Sequence, residues 1–176
     1  MMRSARPSRT RPPQSAKLTI EIQWRLRSDW GAQSLLRRAV RHAATREGLR
    51  AGRVCLRVVG RRAMSALHGR YLANPAPTDV LTFDLGTDRV AGWIEGDVVI
   101  CADVARIRAG ARARPSAACA ELALYAVHGV LHLAGYDDKS PRGFTRMHAR
   151  EDELLVELGI GRVFDRDRGG ATGRSR

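Results

Sequence analysis

The sequence predicts a single α+β domain with one mixed four-stranded sheet packed against about five helices. Two kinds of pattern carry this prediction. Segments in which apolar residues alternate predict strands, and segments with apolar residues every three to four positions predict helices. They follow one another in the order β-α-β-α-β-β-α-α-α. A chain of 176 residues, 44% of them hydrophobic, is also large enough to bury a core without disulfides.

Each element is predicted from its own local pattern. The predicted strands are Leu18–Ile22, Val54–Val59, Val80–Phe83 and Gly96–Cys101. The predicted helices are Ala32–Arg46, Ala63–Leu72, Ala102–Arg114, Ser116–Leu133 and Gly143–Leu158. We expect Ser116 to cap the fourth helix and Gly135 to end it. Since Glu121, His128 and His132 interrupt its apolar surface, this helix is predicted to be a core helix and not a membrane span.

The charge is strongly positive, with 31 Lys and Arg against 18 Asp and Glu, a net +13. Residues 1–16 contain arginines and prolines and no acid, which predicts a disordered basic tail. Residues 165–176 are charged and glycine-rich, which predicts a loose C-terminal tail, so the domain is expected at 17–164. The folded part is basic as well, which favours a polyanionic partner such as nucleic acid. An arginine-rich codon bias is the alternative explanation.

The cysteines indicate a reducing compartment. Cys55, Cys101 and Cys119 are odd in number and widely spaced, which excludes a disulfide framework and a cysteine-based zinc ribbon. The arginine-rich N-terminus has no apolar stretch typical of an export signal. We therefore expect a cytoplasmic protein with no membrane partner.

The most informative segment is residues 128–138, which read HGVLHLAGYDD. His128 and His132 are four residues apart on one helix, so their rings share a face about 6 Å apart at Cβ. Gly135 is expected to end the helix, and the following turn can bring Asp137 or Asp138 back toward the rings. Two histidines, one carboxylate and an open position form the ligand set of a catalytic zinc site. The alternative is a pair of core histidines without a metal.

A protease is a minor alternative. The helix of zinc proteases reads H-E-x-x-H, where the glutamate is the general base. Gly129 stands at the position of that glutamate here. The helix therefore offers metal ligands without the residue that peptide cleavage requires.

Three ordered motifs together resemble the YbeY-type endoribonucleases, which are rRNA maturation factors. Residues 128–138 resemble the family signature H-G-x-L-H-L-x-G-Y-D-H. Residues 77–83, PTDVLTF, and 95–101, EGDVVIC, are similar to two strands of the family, and residues 147–159 resemble its closing helix. The resemblance covers Leu18 to Gly159.

The resemblance implies one zinc ion per subunit, held by His128, His132 and the residue at the third ligand position, which is Asp138 here. The family most often has histidine at that position, and aspartate is also a zinc ligand. These three residues would be catalytic through the water bound to the metal, because zinc lowers the pKa of that water toward ~7. The carboxylate neutralises more of the charge of the ion than histidine does.

A second departure concerns substrate contact. The family commonly has Tyr-Arg before the P-T-D strand, and its arginine is thought to act at the RNA. The corresponding pair here is Tyr71 and Leu72. Arg70 is the candidate substitute for substrate binding, although a helix places it about 200° from position 72.

Two further acids are candidates for orienting the metal-bound imidazoles. Asp79 follows Thr78 at the start of a strand, and an ordinary turn with side-chain to backbone hydrogen bonds explains this pair equally well. Asp97 follows Gly96 and is similarly ambiguous. We expect a structural turn there, with Asp97 near the cleft.

The resemblance implies a single-strand-specific, zinc-dependent endoribonuclease. Its expected role is rRNA processing, with maturation of the 16S rRNA 3′ end, and ribosome quality control. Expected partners are single-stranded RNA, ribosomal RNA and the small ribosomal subunit. The alternative is a non-catalytic rRNA-binding assembly factor with a structural zinc, which Leu72 in place of arginine keeps open.

Overall fold

The structure is a computed structural model that describes residues 17–28, 30–110 and 114–164. The predicted tails, residues 1–16 and 165–176, lie outside the described residues. Within the described residues the chain forms one mixed sheet and five helices, so the predicted α+β class is confirmed.

The sheet has the strand order β1-β2-β4-β3. The strands are β1 Leu18–Trp24, β2 Ala51–Val59, β3 Val80–Asp84 and β4 Trp93–Cys101. Strands β1, β2 and β4 are parallel, and β3 runs antiparallel to β4 at one edge. Strand β4 begins three residues before the predicted start, because Trp93 already pairs with Asp88 across the preceding turn.

The helices are α1 Gln33–Arg46, α2 Arg61–Leu72, α3 Ala102–Ala109, α4 Pro115–Leu133 and α5 Pro141–Glu157. The predicted end of α3 at Arg114 is wrong, because Gly110 adopts a φ of 94° and stops the helix. Ser116 does not cap α4. Arg114 is the N-cap and Pro115 takes the first helical position, where its missing N–H costs nothing.

Helix α4 lies at the centre of the core. Together with α1 it packs on one face of the sheet, and more than half of its residues belong to the main buried cluster. Helix α2 covers part of the other face over a smaller cluster: Val59, Met64, Leu81, Val99 and Cys101. By length and composition α4 passes the test for a membrane span, but 72% of its most apolar window is buried inside the protein. That burial fits the core helix predicted from the sequence.

Candidate metal centre

The two predicted histidine ligands meet at the C-terminal end of α4. The Nε2 atoms of His128 and His132 are 3.0 Å apart, and their rings are nearly perpendicular, with centroids 4.5 Å apart. The helix ends directly after them, because Gly135 has a φ of 93° and the Tyr136 amide donates to the Leu131 carbonyl at 3.0 Å. The chain therefore turns back over the histidines, as the sequence predicts.

Both rings are oriented by a hydrogen bond at Nδ1. His128 Nδ1 donates to Glu151 Oε1 at 2.7 Å, and His132 Nδ1 donates to the Tyr136 carbonyl at 3.1 Å. When the rings are neutral, each Nε2 is then an unprotonated lone pair. Two lone pairs facing each other at 3.0 Å repel unless a cation or a proton lies between them.

This arrangement fits a metal ion. Two imidazole nitrogens about 2.0–2.1 Å from a tetrahedral zinc are about 3.3 Å apart, close to the separation of the two Nε2 atoms. The Asp138 Oδ2 atom lies 4.0 Å from His128 Nε2. One ligand atom from each of His128, His132 and Asp138 falls within 4.8 Å of the others. Of the two acids that the turn could bring back, it is Asp138 that completes this group.

The loop that carries Asp138 is fixed to two other helices. The Tyr136 hydroxyl donates to Glu47 Oε2 at 3.1 Å, and Arg150 Nε donates to Glu47 Oε1 at 2.8 Å. Glu47 follows α1 and Arg150 lies on α5, so the segment after α4 is tied to both. This anchoring limits how far the Asp138 carboxylate can move from the histidines.

Glu151 and His148 on α5 belong to the site, and the sequence reasoning missed both. Glu151 is completely buried and accepts from His128 through Oε1 and from His148 Nδ1 through Oε2 at 2.6 Å. His148 in turn stacks on Phe164, with centroids 3.6 Å apart. A signal was present, because Glu151 interrupts the apolar stripe of α5 at a core position between Met147 and Leu155.

The surroundings of the site raise the pKa of His128 and lower the pKa values of His132 and Glu151. Burial disfavours protonated His128, but the hydrogen bond and charge of Glu151 outweigh burial and raise the pKa of His128. Burial and the neighbouring charge of His128 lower the pKa of His132. Burial opposes ionisation of Glu151, yet hydrogen bonds from His128 and His148 hold the pKa of Glu151 below its usual value. These shifts favour an ionised Glu151, and they favour protonation of His128 over protonation of His132.

The histidines open into a cleft of about 760 Å³. Strand β3 forms one wall and the C-terminal end of α2 another, with Tyr71 54% and Leu72 61% exposed. Apart from the two histidines, Lys139 is the one basic side chain among the described residues that line the cleft. Arg70 does not line it, and its guanidinium lies 5.6 Å from the Tyr71 ring centroid.

The two acids predicted to orient the imidazoles are in different places. Asp79 lines the cleft, and its carboxylate accepts from the Val80 amide at 2.9 Å and the Thr78 hydroxyl at 3.1 Å. Its charge also helps to raise the pKa of His128, although less than Glu151 does. The structure does not bring Asp97 to the cleft, and the turn predicted at Gly96 and Asp97 is wrong, because both residues lie within β4. Asp97 accepts from Arg57 Nη2 at 2.7 Å on the opposite face of the sheet.

The comparisons with known proteins agree with the motifs. The family model described as Endoribonuclease YbeY matches residues 20–159. The chain belongs to the YbeY endoribonuclease family. The endoribonuclease YbeY of Chlorobium luteolum is 38% identical over 125 residues, which are 71% of this chain and 88% of that protein. The endoribonuclease YbeY of Moorella thermoacetica is 37% identical over 139 residues, which are 73% of this chain and 88% of that protein.

A solved structure supports the fold of this YbeY family member. The solution structure of a protein from Thermotoga maritima has a TM-score of 0.53 and 21% sequence identity, covering 89% of this chain and 96% of that chain. The predicted enzyme class, a hydrolase acting on RNA, is the class of the YbeY family.

The packing of Gly129 separates this YbeY helix from that of a zinc protease. A Cβ added at Gly129 would lie 2.4 Å from Val98 Cγ1 and 3.1 Å from the Thr82 hydroxyl. Helix α4 therefore approaches β4 too closely for a glutamate at this position. The disfavoured protease alternative lacks both its general base and the space for one.

Proposed function

We propose that the protein is a single-strand-specific, zinc-dependent endoribonuclease that takes part in rRNA processing, including maturation of the 16S rRNA 3′ end, and in ribosome quality control in the cytoplasm. The observation that carries the proposal is the pair of facing Nε2 lone pairs, 3.0 Å apart, with the Asp138 carboxylate beside them in an open cleft. Family membership supports RNA as the substrate. Ribosomal RNA and the small ribosomal subunit are part of the proposal.

In this proposal His128, His132 and Asp138 hold one zinc ion per subunit. When bound, the ion supplies Lewis acidity at a phosphodiester and makes water acidic enough to act as a nucleophile near neutral pH. Glu151 keeps His128 in the tautomer that offers Nε2, and the Tyr136 carbonyl does the same for His132. The chain thus presents two imidazoles that need no reorientation before they bind a metal.

The walls of the cleft suit a single strand. Lys139 lines the same cleft as the metal ligands, so its ammonium group can contact a phosphate of a strand bound there. The exposed faces of Tyr71 and Leu72 offer apolar surface to a nucleobase, which only an unpaired base can contact in this way. We keep Arg70 as a substrate-binding residue at the outer end of this wall, where it lies over the Tyr71 ring. Asp79 is kept as a group that tunes His128 by its charge, and Asp97, on the other face of the sheet, is assigned no part in the site.

A non-catalytic assembly factor with a structural zinc remains the second candidate. The observation that favours it is Leu72, an exposed apolar side chain at the position of the family arginine. Structural zinc sites use four protein ligands. The described residues bring three to this point and leave the cleft open, which favours catalysis.

The test is cleavage of a labelled single-stranded RNA and of the same sequence in a duplex. We expect cleavage of the single strand alone, its loss with a chelator, and its return with zinc. Asp138→Ala should abolish it, whereas Asp97→Asn, a loss of one carboxylate on the far face, should leave it unchanged. Zinc binding without cleavage by the wild type would support the assembly factor, and cleavage that survives Asp138→Ala would indicate a contaminating nuclease.

A further inference from the structure

The outer face of α1 is basic, and its arginines are not part of the candidate metal centre or of the cleft. The helix has 14 residues and no acid, and Arg37, Arg38 and Arg41 are all exposed. Arg46, by contrast, is paired with Glu157 at 2.8 Å. In the described part of the chain no carboxylate pairs with the first three. We call Arg37, Arg38 and Arg41 the α1 arginine row.

Two members of the row are held in place by the edge of the sheet. Arg37 Nη1 donates to the Ile20 carbonyl, and Arg41 Nη1 donates to the Leu18 carbonyl at 3.4 Å. These carbonyls belong to β1 and are two residues apart, about 6.6 Å along a strand. Each bond uses one of the five N–H donors of a guanidinium, so both groups are positioned and keep donors for a ligand. Holding them in advance lowers the entropy cost of binding.

The row lies at the edge of the sheet opposite the cleft. In the strand order β1-β2-β4-β3, the cleft lies beside the edge strand β3 and the α1 arginine row lies beside the other edge strand, β1. The two edge strands are about 14 Å apart at the usual strand spacing. A short ligand that fills the cleft therefore does not reach the row, whereas a long polyanion can contact both.

We propose that the α1 arginine row is a second RNA-binding surface, which holds phosphates of a folded RNA whose single-stranded part enters the cleft. The inference rests on the proposed function, because it takes RNA as the ligand. Guanidinium groups form bidentate hydrogen bonds with phosphate oxygens, and α1 carries no acidic residue that would repel a phosphate. An acidic protein partner would use the same charge, and it predicts that variants of the row bind folded RNA as the wild type does.

The experiment compares two RNAs and three charge variants. One RNA is a short single-stranded oligonucleotide that fits the cleft, and the other is a folded RNA that carries the same segment as a single-stranded end. Arg37→Gln with Arg41→Gln removes the charges but keeps amide donors for the β1 carbonyls, and Arg38→Gln touches no strand. The control is Arg61→Gln with Arg62→Gln, the same loss of charge on exposed residues of α2.

We expect the Arg37/Arg41 variant to bind the folded RNA roughly tenfold more weakly at low salt, with a salt slope smaller by about one per arginine. Arg38→Gln should show about half of this effect. Cleavage of the short oligonucleotide and binding by the α2 control should stay at the wild-type level.

Equal weakening by the α2 control would show that net charge alone acts, and it would overturn the proposal. Unchanged binding of folded RNA by both row variants would also overturn it. If the wild type neither binds nor cleaves either RNA, the proposed function fails and the inference fails with it. If the short oligonucleotide is cleaved normally but the row variants bind folded RNA as the wild type does, only this inference is refuted and the proposed function stands.

Discussion

The two faces of the sheet both carry ion pairs, but only one face buries them. On the α4 side, Glu151 is completely buried and accepts hydrogen bonds from two histidines at 2.7 and 2.6 Å. On the opposite face, Arg57 bonds Asp97 at 2.7 Å and Arg53 bonds Glu21 at 3.1 Å, all four partly in contact with solvent. The distances are similar, and the surroundings are not.

The difference shows that an unfavourable burial of charge occurs only at the histidine cluster among these pairs. A buried carboxylate is unfavourable unless its oxygens are satisfied, and exposed pairs contribute little to stability. The fold therefore gains little from the Arg57–Asp97 pair, whereas burying Glu151 requires two well-placed donors. Such a network is expected where a fixed orientation of His128 matters, at the metal centre.

The largest predicted effect is the loss of a ligand on the buried face. His132→Ala removes one of the two facing Nε2 atoms, so zinc affinity should fall by more than about 100-fold. A competition titration with a chromophoric chelator measures this. His42→Ala, which removes a histidine paired with Glu157 on the surface, should bind zinc as the wild type does.

A smaller effect is predicted one step away from the ligands. Glu151→Gln keeps the shape of the side chain but replaces one of its two accepting oxygens with an NH2 group, which donates and cannot accept from the histidine it faces. Zinc affinity should fall roughly 10–100-fold, the usual effect of losing a group that orients a metal ligand. The same titration on Asp97→Asn supplies the matched change on the open face. Equal affinities in the two variants would contradict the assigned role of Glu151.

The pH dependence of the metal-free protein should show the same asymmetry. The raised pKa of His128 gives stability that is present below its ordinary value of 6.5 and is lost as the pH rises through the raised value. The lowered pKa of Glu151 gives stability that is present above 4.5 and is lost as the pH falls through the lowered value. Protonation of His132, whose pKa is lowered, opposes folding on the acid side.

Urea unfolding across pH measures this dependence. The free energy of unfolding of the wild type relative to Glu151→Gln should be largest between the two shifted pKa values and should decline on the alkaline side of 6.5. A difference that keeps growing with alkaline pH would show that the His128–Glu151 contact is absent in solution.

The smallest predicted effect is on the open face. A double-mutant cycle on Arg57→Ala and Asp97→Ala should give a coupling free energy of about 1 kcal/mol or less, with zinc binding and RNA cleavage unchanged. Thermal unfolding of the four proteins measures it. A large coupling, or any loss of zinc, would remove the distinction between the two faces.

The sequence predicted the parts of the site that depend on local geometry. The spacing of His128 and His132, the stop at Gly135 and the return of the following acids all lie within eleven residues, where helix and turn rules apply directly. Those rules left Asp137 and Asp138 both open, and the family resemblance indicated Asp138. The role of Glu151 depends on how α5 crosses α4, which is long-range packing that no local rule supplies. Its place in an apolar stripe was the available signal.

The two doubtful acids show the same limit. Asp79 directly precedes β3 and Asp97 lies within β4, and their local sequences do not show which of them faces the site. Asp97 points away from α4 because its neighbour Val98 packs against Gly129, and side chains alternate between the faces of a strand. Which of two alternating residues faces the site depends on which face α4 covers, and that follows from the topology of the whole sheet.

Histidine ring nitrogen NMR during a zinc titration of the chelator-stripped protein tests the metal centre most directly. The structure predicts saturation at one zinc per chain, with the Nε2 resonances of His128 and His132 shifting while both Nδ1 atoms stay protonated. Zinc that binds through Nδ1, or that leaves either ring unperturbed at saturation, would contradict the assignment of the two facing Nε2 atoms as metal ligands.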